Sequence, residues 1–281
     1  MKVIIHGGFF SESTTNTEVK LAKQAALKNI VSQAYLFLNK HTALDTAIYA
    51  TSLLENDPLF NAGTGSQIQS DGKIRLSASV MEGKTGKFAG LINIQNIKNP
   101  ITLCKTLLAT DDRVLSGQEA LNFAKSKNIP YYNPETPQRR AEYEAKLLKT
   151  KGLGTVGCVA LDAQGNIAAA TSTGGKGFEV PGRVSDSATV AGNYANAYAG
   201  VSCTGVGEDI VSAALASKIV TRVSDGFSLK EASEKSFNEL KKIDGFAGII
   251  GISASGQMYH CHSHPYMVWA AHDGESLSWF A

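Results

Sequence analysis

Between residues 17 and 38, Val19, Leu21, Ala25, Ala26, Ile30, Val31, Ala34 and Leu38 recur at helical spacing, and the spacing predicts a helix. A second helix is expected over 43–55, ending before Pro58, because the residue ahead of a proline is pushed out of helical geometry. Residues 2–6 read as a short buried strand that stops at Gly7 and Gly8. From 66 to 81 the pattern changes to alternation, with Ile68, Ile74, Leu76, Ala78 and Val80 spaced by polar residues. Asp71-Gly72 between the two runs predicts a hairpin turn. A strand over 88–94 and helices over 100–109 and 116–127 follow.

Residues 128–154 break the pattern. They are rich in Pro, Tyr, Glu, Lys and Arg, weakly periodic, and carry Gly152 and Gly154 at their end, which predicts an exposed linker. Two strands are then expected over 156–161 and 167–172, joined by a turn-rich segment. A strand ends at 201–204, helices cover 208–223 and 228–242, and a hairpin over 248–253 and 257–262 closes the pattern. Ser228 with Glu231 three residues later forms a capping box at the last helix. Strands and helices come in blocks, so stacked sheets flanked by helices fit better than a doubly wound parallel sheet.

Composition narrows the function classes. The 281 residues are 43% hydrophobic and 19% charged, as in an ordinary globular protein, and a formal charge of +2 gives no reason to expect a nucleic-acid partner. The most basic stretch, Arg139-Arg140 with Lys146, Lys149 and Lys151, is interleaved with Glu142 and Glu144 and reads as a solvated face. Four cysteines without paired spacing (Cys104, Cys158, Cys203, Cys261) suggest reduced thiols, and no apolar run approaches a signal core or a membrane span. The expectation is a cytoplasmic protein without a membrane partner.

The chemistry centres on Thr155. A hydroxyl is a weak nucleophile at neutral pH and needs a base beside it. Were the Gly154–Thr155 bond cut, the freed α-amine, with a pKa of about 7.7–8.0, supplies that base from the same residue. Gly154 leaves the scissile carbonyl open to attack. By itself the pair equally suits a strand start, where a β-branched threonine packs well.

The surrounding blocks decide between these readings. GTVGCVALDAQGNIAAATSTGG (154–175), PGRVSDS (181–187) and SCTGVGE (202–208) resemble, in order and spacing, the β-subunit of plant-type asparaginases, also called isoaspartyl peptidases. HGG (6–8) and PLFNAGTG (58–65) resemble their α-subunit, so the likeness spans almost the whole chain. The resemblance implies an α+β fold, the four-layer αββα sandwich of N-terminal nucleophile hydrolases. It implies one domain cut into an α-subunit (1–154) and a β-subunit (155–281), assembled as a homodimer of αβ heterodimers. It implies no catalytic cofactor, with β-aspartyl dipeptides and L-asparagine as small-molecule substrates.

The resemblance also implies roles residue by residue. Thr155 is the nucleophile, and Thr173 hydrogen-bonds beside it. Arg183 and Asp186 clamp the substrate's α-carboxylate and α-amine. Thr204 and Gly205 form the oxyanion hole, Gly207 touches the substrate amine through its carbonyl, and Asn61 orients the new amino terminus. A structural sodium ion is implied on backbone carbonyls of Leu54, Glu55, Asp57, Phe60, Ala62 and Thr64. The chain departs from the family pattern at Phe9 and Phe10 after HGG, where relatives carry small residues and bulky rings are expected to touch processing or substrate fit. It departs also at Val206 and at Ser263-His264-Pro265-Tyr266.

Other readings stay open at this stage. Within the family these are glycosylasparaginase-like or threonine-protease-like chemistry, or a member that binds amino acids without cleaving itself. Outside it, His260, His262 and His264 beside Cys261 suggest zinc, and Cys158 is an alternative nucleophile. A Ser–His–Asp site lacks its Gly-x-Ser-x-Gly elbow.

Overall fold

The computed structural model describes residues 1–9, 17–145 and 154–281. Its elements run β1 (Lys2–Phe9), α1 (Thr17–Leu38), α2 (Ala43–Asn56), β2 (Leu76–Glu82), β3 (Lys87–Ile94), α3 (Pro100–Leu107), β4 (Val114–Ser116), α4 (Gly117–Ser126) and α5 (Pro137–Glu144). The second half holds β5 (Val156–Leu161), β6 (Ile167–Thr173), a 3-10 turn (Asp186–Ala188), β7 (Asn193–Ala195), β8 (Ala199–Gly205), α6 (Gly207–Ala213), α7 (Leu215–Ser224), α8 (Leu229–Lys241), β9 (Ala247–Ser253), β10 (Met258–His262), β11 (Met267–His272) and β12 (Leu277–Trp279).

Eight strands form one sheet in the order β12-β11-β1-β5-β6-β2-β3-β4, and four form a second in the order β10-β9-β8-β7. The two-residue period of the strands sorts side chains into layers. From β1, β5 and β6, Val3, Ile5, Cys158, Ala160, Ala168 and Ala170 face the core shared with α1 to α4. Their alternates Ile4, Val159, Leu161, Ile167 and Ala169 meet Ile250 and Ile252 of β9 between the sheets. On the outer face of the second sheet, Val201, Cys203 and Ile249 pack with Ile210, Leu215, Ile219 and Leu240 of α6 to α8. These three cores make four layers, αββα. The central strands β5 and β6 are buried on both faces, which explains their near-continuous apolar sequence.

Several elements differ from the sequence expectation. The turn at Asp71-Gly72 forms, closed by Gln69 N–H to Lys73 C=O, but no strand precedes it, and the expected strand after it, β2, begins only at Leu76. The segment instead bonds to residues 178 and 179, through Phe178 N–H to Ile68 C=O and Ser70 N–H to Glu179 C=O. The β2–β3 hairpin turns at 83–86 instead. The helix expected over 208–223 is broken at Ala214, which is left-handed at φ 47°. The amides of Ala216 and Ser217 donate to the carbonyls of Ala191 and Val190, so tertiary partners replace a continuous helix. The expected linker holds α5, with Pro137 in its first turn and Thr136 capping it, and Arg139 Nε donates to Gly65 C=O. The rest of that segment, 146–153, lies outside the described residues. Beyond the expected closing hairpin, β11 returns to pair with β1. No helix among the described residues is long and apolar enough to cross a membrane.

Candidate active site

Register brings the two threonines together. Val156 pairs with Ser172 across β5 and β6, so one residue further Thr155 stands opposite Thr173. The Thr155 hydroxyl donates to Thr173 Oγ1 at 3.2 Å, and the Gly175 N–H donates to the same oxygen at 3.1 Å. Both threonines are buried. Ahead of them Gly154 lies against Asn61, where an added Cβ would come within 2.6 Å of the Asn61 Cβ. Any side chain there would push the Gly154–Thr155 peptide away from Asn61. Asn61 itself accepts from Gln67 N–H through Oδ1 and donates to Gly175 C=O through Nδ2. In the uncut chain its amide is therefore committed to the loop wall and not to the nitrogen of Thr155.

The end of β8 in the second sheet faces this point. Thr204 Oγ1 is buried and makes no hydrogen bond with any described residue. Gly205 sits at φ 140°, and an added Cβ would lie 2.5 Å from Phe246 C=O, so only glycine carries the backbone through. Thr155, Thr173, Gly175, Lys176, Arg183, Ser185 and Gly205 to Glu208 line one small cavity.

Its far wall is charged. Arg183 donates to Glu208 from Nε at 2.7 Å and from Nη2 at 2.8 Å, and Lys176 Nζ lies 3.2 Å from the same carboxylate. These cations hold the Glu208 carboxyl down at about 2, chiefly through the Arg183 hydrogen bonds. Asp186 is fully buried, and burial pushes its carboxyl up to about 6. Its Oδ1 accepts from Ser185, while Oδ2 has no described partner. A Cβ on Gly207 would stand 2.9 Å from both Arg183 Nη2 and Asp186 Oδ1, so a glycine there keeps cation and acid side by side. The arrangement can hold a carboxylate and an ammonium together at one end of the cavity and a nucleophile at the other.

His6 was part of the HGG resemblance without a role, and the structure supplies one. Its Nδ1 is 3.0 Å from the Thr155 carbonyl and its Nε2 is 2.9 Å from Ser202 Oγ. A carbonyl only accepts, so Nδ1 carries the proton, Nε2 accepts from Ser202, and Ser202 accepts from Thr171 at 2.7 Å. Burial pushes the imidazole down to about 3, the Thr155 bond opposing. Such a group takes up its proton on unfolding, so its contribution to stability is full above pH 6.5 and drains as pH falls towards 3. The slope is at most about 1.4 kcal/mol per pH unit. His6→Asn is expected to flatten the stability curve by one proton over that window, checked by denaturant titration of both proteins from pH 7 to 4. An unchanged slope removes His6 as the acid-sensitive group.

Two alternatives fare poorly. Cys158 is buried mid-strand, and burial pushes its thiol far up, away from reactivity. The rings of His260 and His262 lie near-parallel at 6.4 Å, His260 stacks on Trp269, and His264 stacks on Phe246. Each ring has an aromatic neighbour in place of a common focus, and no group of three potential metal ligands occurs among the described residues. Phe9 packs in the space between the sheets, 4.5 Å from the ring of Phe246. Phe10 lies outside the described residues. Glu208, Lys176, Ser202 and Thr171 escaped the sequence reading of roles. The one available signal was that Ser202 and Thr204, like Thr171 and Thr173, are two apart on a strand and so share a face.

The family described as asparaginase matches residues 1–281. The chain is 44% identical to an isoaspartyl peptidase/L-asparaginase of Nostoc sp., covering 98% of this chain and 93% of that protein. A protein of the same name from Synechocystis sp. is 43% identical, over 98% of this chain and 89% of its own length. A plant-type L-asparaginase of Pyrococcus furiosus is 34% identical over 95% of each. The chain belongs to the asparaginase family.

Proposed function

We propose that this chain is a self-processing threonine amidohydrolase that cleaves β-aspartyl dipeptides and L-asparagine. The observation that carries the reading is one cavity lined by the Thr155–Thr173 hydroxyl pair, Arg183 and Gly205, with the Thr204 hydroxyl and the Asp186 carboxylate, each without a described partner on one oxygen, buried beside it. The names of the relatives point to the same substrates.

In maturation the Thr155 hydroxyl attacks the Gly154 carbonyl, the acyl group shifts from nitrogen to oxygen, and water hydrolyses the ester. Gly154 leaves as a carboxylate and Thr155 keeps a free amine. In turnover that amine takes the hydroxyl proton as Oγ1 attacks the side-chain amide carbon. Thr204 O–H and Gly205 N–H receive the developing oxyanion. The proton passes to the leaving nitrogen, which departs as ammonia or as the amine of the second residue. Water then releases L-aspartate from the β-aspartyl ester. Arg183 takes the α-carboxylate and Asp186 the α-ammonium, which confines substrates to an aspartyl unit with both groups free.

The reading extends to sodium and to assembly as a dimer of heterodimers. In the implied sodium loop, Leu54, Glu55 and Asp57 carbonyls already accept from Asp57, Thr64 and Phe60 N–H groups. The carbonyls of Phe60, Ala62 and Thr64 accept from no other described residue, so the loop retains oxygen lone pairs of the kind a hard cation takes. The ion would brace the loop that carries Asn61.

A substrate panel tests the reading: β-aspartyl-leucine and L-asparagine are turned over and α-aspartyl-leucine is not. Cleavage of the α-isomer at a similar rate would sink it. Thr204→Val gives a sharper check. The hydroxyl has no partner among the described residues, so its loss removes a buried orphan and leaves stability unchanged or slightly raised. The same change is expected to lower kcat by about 10²-fold, typical of one lost oxyanion donor. A variant with wild-type kcat would take Thr204 out of the oxyanion hole.

A further inference from the structure

The Arg183 guanidinium has two usable edges, and only one is occupied. Glu208 takes Nε and Nη2, the side edge, in a bidentate pair. None of the described hydrogen bonds uses Nη1, so the end edge, Nη1 with the second Nη2 proton, remains free. That edge begins at Nη2, the nitrogen that flanks Gly207 opposite Asp186 Oδ1. A planar guanidinium can serve two carboxylates at once, one per edge, only if its plane is fixed. Glu208 is well placed to fix it. It sits in the first turn of α6, four residues after Thr204 on the same segment that carries Gly205, and Lys176 Nζ holds its Oε1 at 3.2 Å from the other side. Arg183 is itself largely covered, whereas Glu208 and Lys176 stand at the cavity mouth.

We infer that Glu208 is a positioning residue: it locks the side edge of Arg183 so that the end edge meets the substrate α-carboxylate beside Asp186. Lys176 steadies Glu208. The inference deepens the proposed reading and rests on it. Glu208 touches no reacting atom, so its removal acts on capture and not on the chemical step. The opposite possibility is explicit in the geometry: a carboxylate already on Arg183 could compete with the incoming one.

The two are separated by steady-state kinetics on β-aspartyl-leucine and by calorimetric binding of L-aspartate to wild type, Glu208→Gln, Glu208→Ala and Lys176→Met. Glu208→Ala is expected to raise KM and the L-aspartate Kd together by about tenfold or more, as when a charge-assisted partner is lost, with kcat within about twofold. Glu208→Gln keeps the shape and one acceptor and should restore part of the loss, and Lys176→Met should give the smallest shift. Self-cleavage should proceed in all three. An unchanged KM in Glu208→Ala, or a lowered one, overturns the inference, the second result by showing competition. Should the alanine variant fail to fold, the glutamine variant decides alone, and wild-type KM and Kd in it count against the brace. A wild-type protein that neither binds L-aspartate nor cleaves the dipeptide overturns the reading underneath, and this inference with it.

Discussion

Thr155→Ala is expected to abolish both the cut at Gly154–Thr155 and turnover, with kcat reduced by at least about 10⁴-fold, since nucleophile and base vanish together. The fold should survive. The change deletes one methyl-bearing hydroxyl that donates a single 3.2 Å hydrogen bond to Thr173, a contact worth about 1 kcal/mol. His6 still holds the Thr155 carbonyl, because that bond belongs to the backbone. The variant therefore separates chemistry from architecture. Gel electrophoresis reads the first function, release of leucine from β-aspartyl-leucine reads the second, and circular dichroism guards against misfolding. A folded alanine variant that still releases leucine refutes the mechanism.

The second large effect falls on capture. Arg183→Ala should lower kcat/KM by about 10²–10³-fold, mostly through KM, because two charge-assisted bonds to the substrate carboxylate are lost. Self-cleavage should continue, since the described side-chain bonds of Arg183 run to Glu208 and none reaches Gly154 or Thr155. Glu208 loses Arg183 in this variant but keeps Lys176 and stands half-exposed, so stability should fall only modestly. Arg183→Lys should rescue little, because an ammonium cannot serve two carboxylates on two fixed edges. Equal losses in KM for an intact dipeptide and for one lacking its α-carboxylate would contradict the assigned contact.

Much of this was legible in the chain. The helices over 17–38 and 228–242 were readable because a sustained apolar stripe and a capping box are local signals, and both formed within a residue or two of the expectation. The αββα layering came from the resemblance, and the block order of strands and helices pointed only to stacked sheets flanked by helices; β5 and β6 are indeed buried along their whole length. What stayed hidden depended on distant partners. The break at Ala214 exists because the loop carbonyls of Val190 and Ala191 capture the Ser217 and Ala216 amides of the next helix. The segment from Ser66 to Arg75 alternates like a strand, yet its polar members Ser66, Gln67 and Gln69 are buried along with Ile68 and Ile74, and it bonds to a loop.

The site divides in the same way. Positions of Thr155, Thr173, Arg183, Asp186 and Thr204 came from the resemblance, and the structure brings them around one cavity apart from Asp186 and Thr204, which are buried at its wall. The role of His6 needed three dimensions, since its partners Thr155 and Ser202 lie 149 and 196 residues away. Phe9 looked like an obstruction near the cut because sequence gives no direction to a ring. β1 continues through it and turns it between the sheets, against Phe246.

Intact-mass analysis of the purified wild-type protein, with sequencing of any new amino terminus, tests the central claim most directly. The account predicts two fragments from the 29.8 kDa chain, the second beginning at Thr155. A single uncut chain that nonetheless hydrolyses β-aspartyl-leucine would contradict it, as would a cut that leaves Thr155 inside a longer fragment.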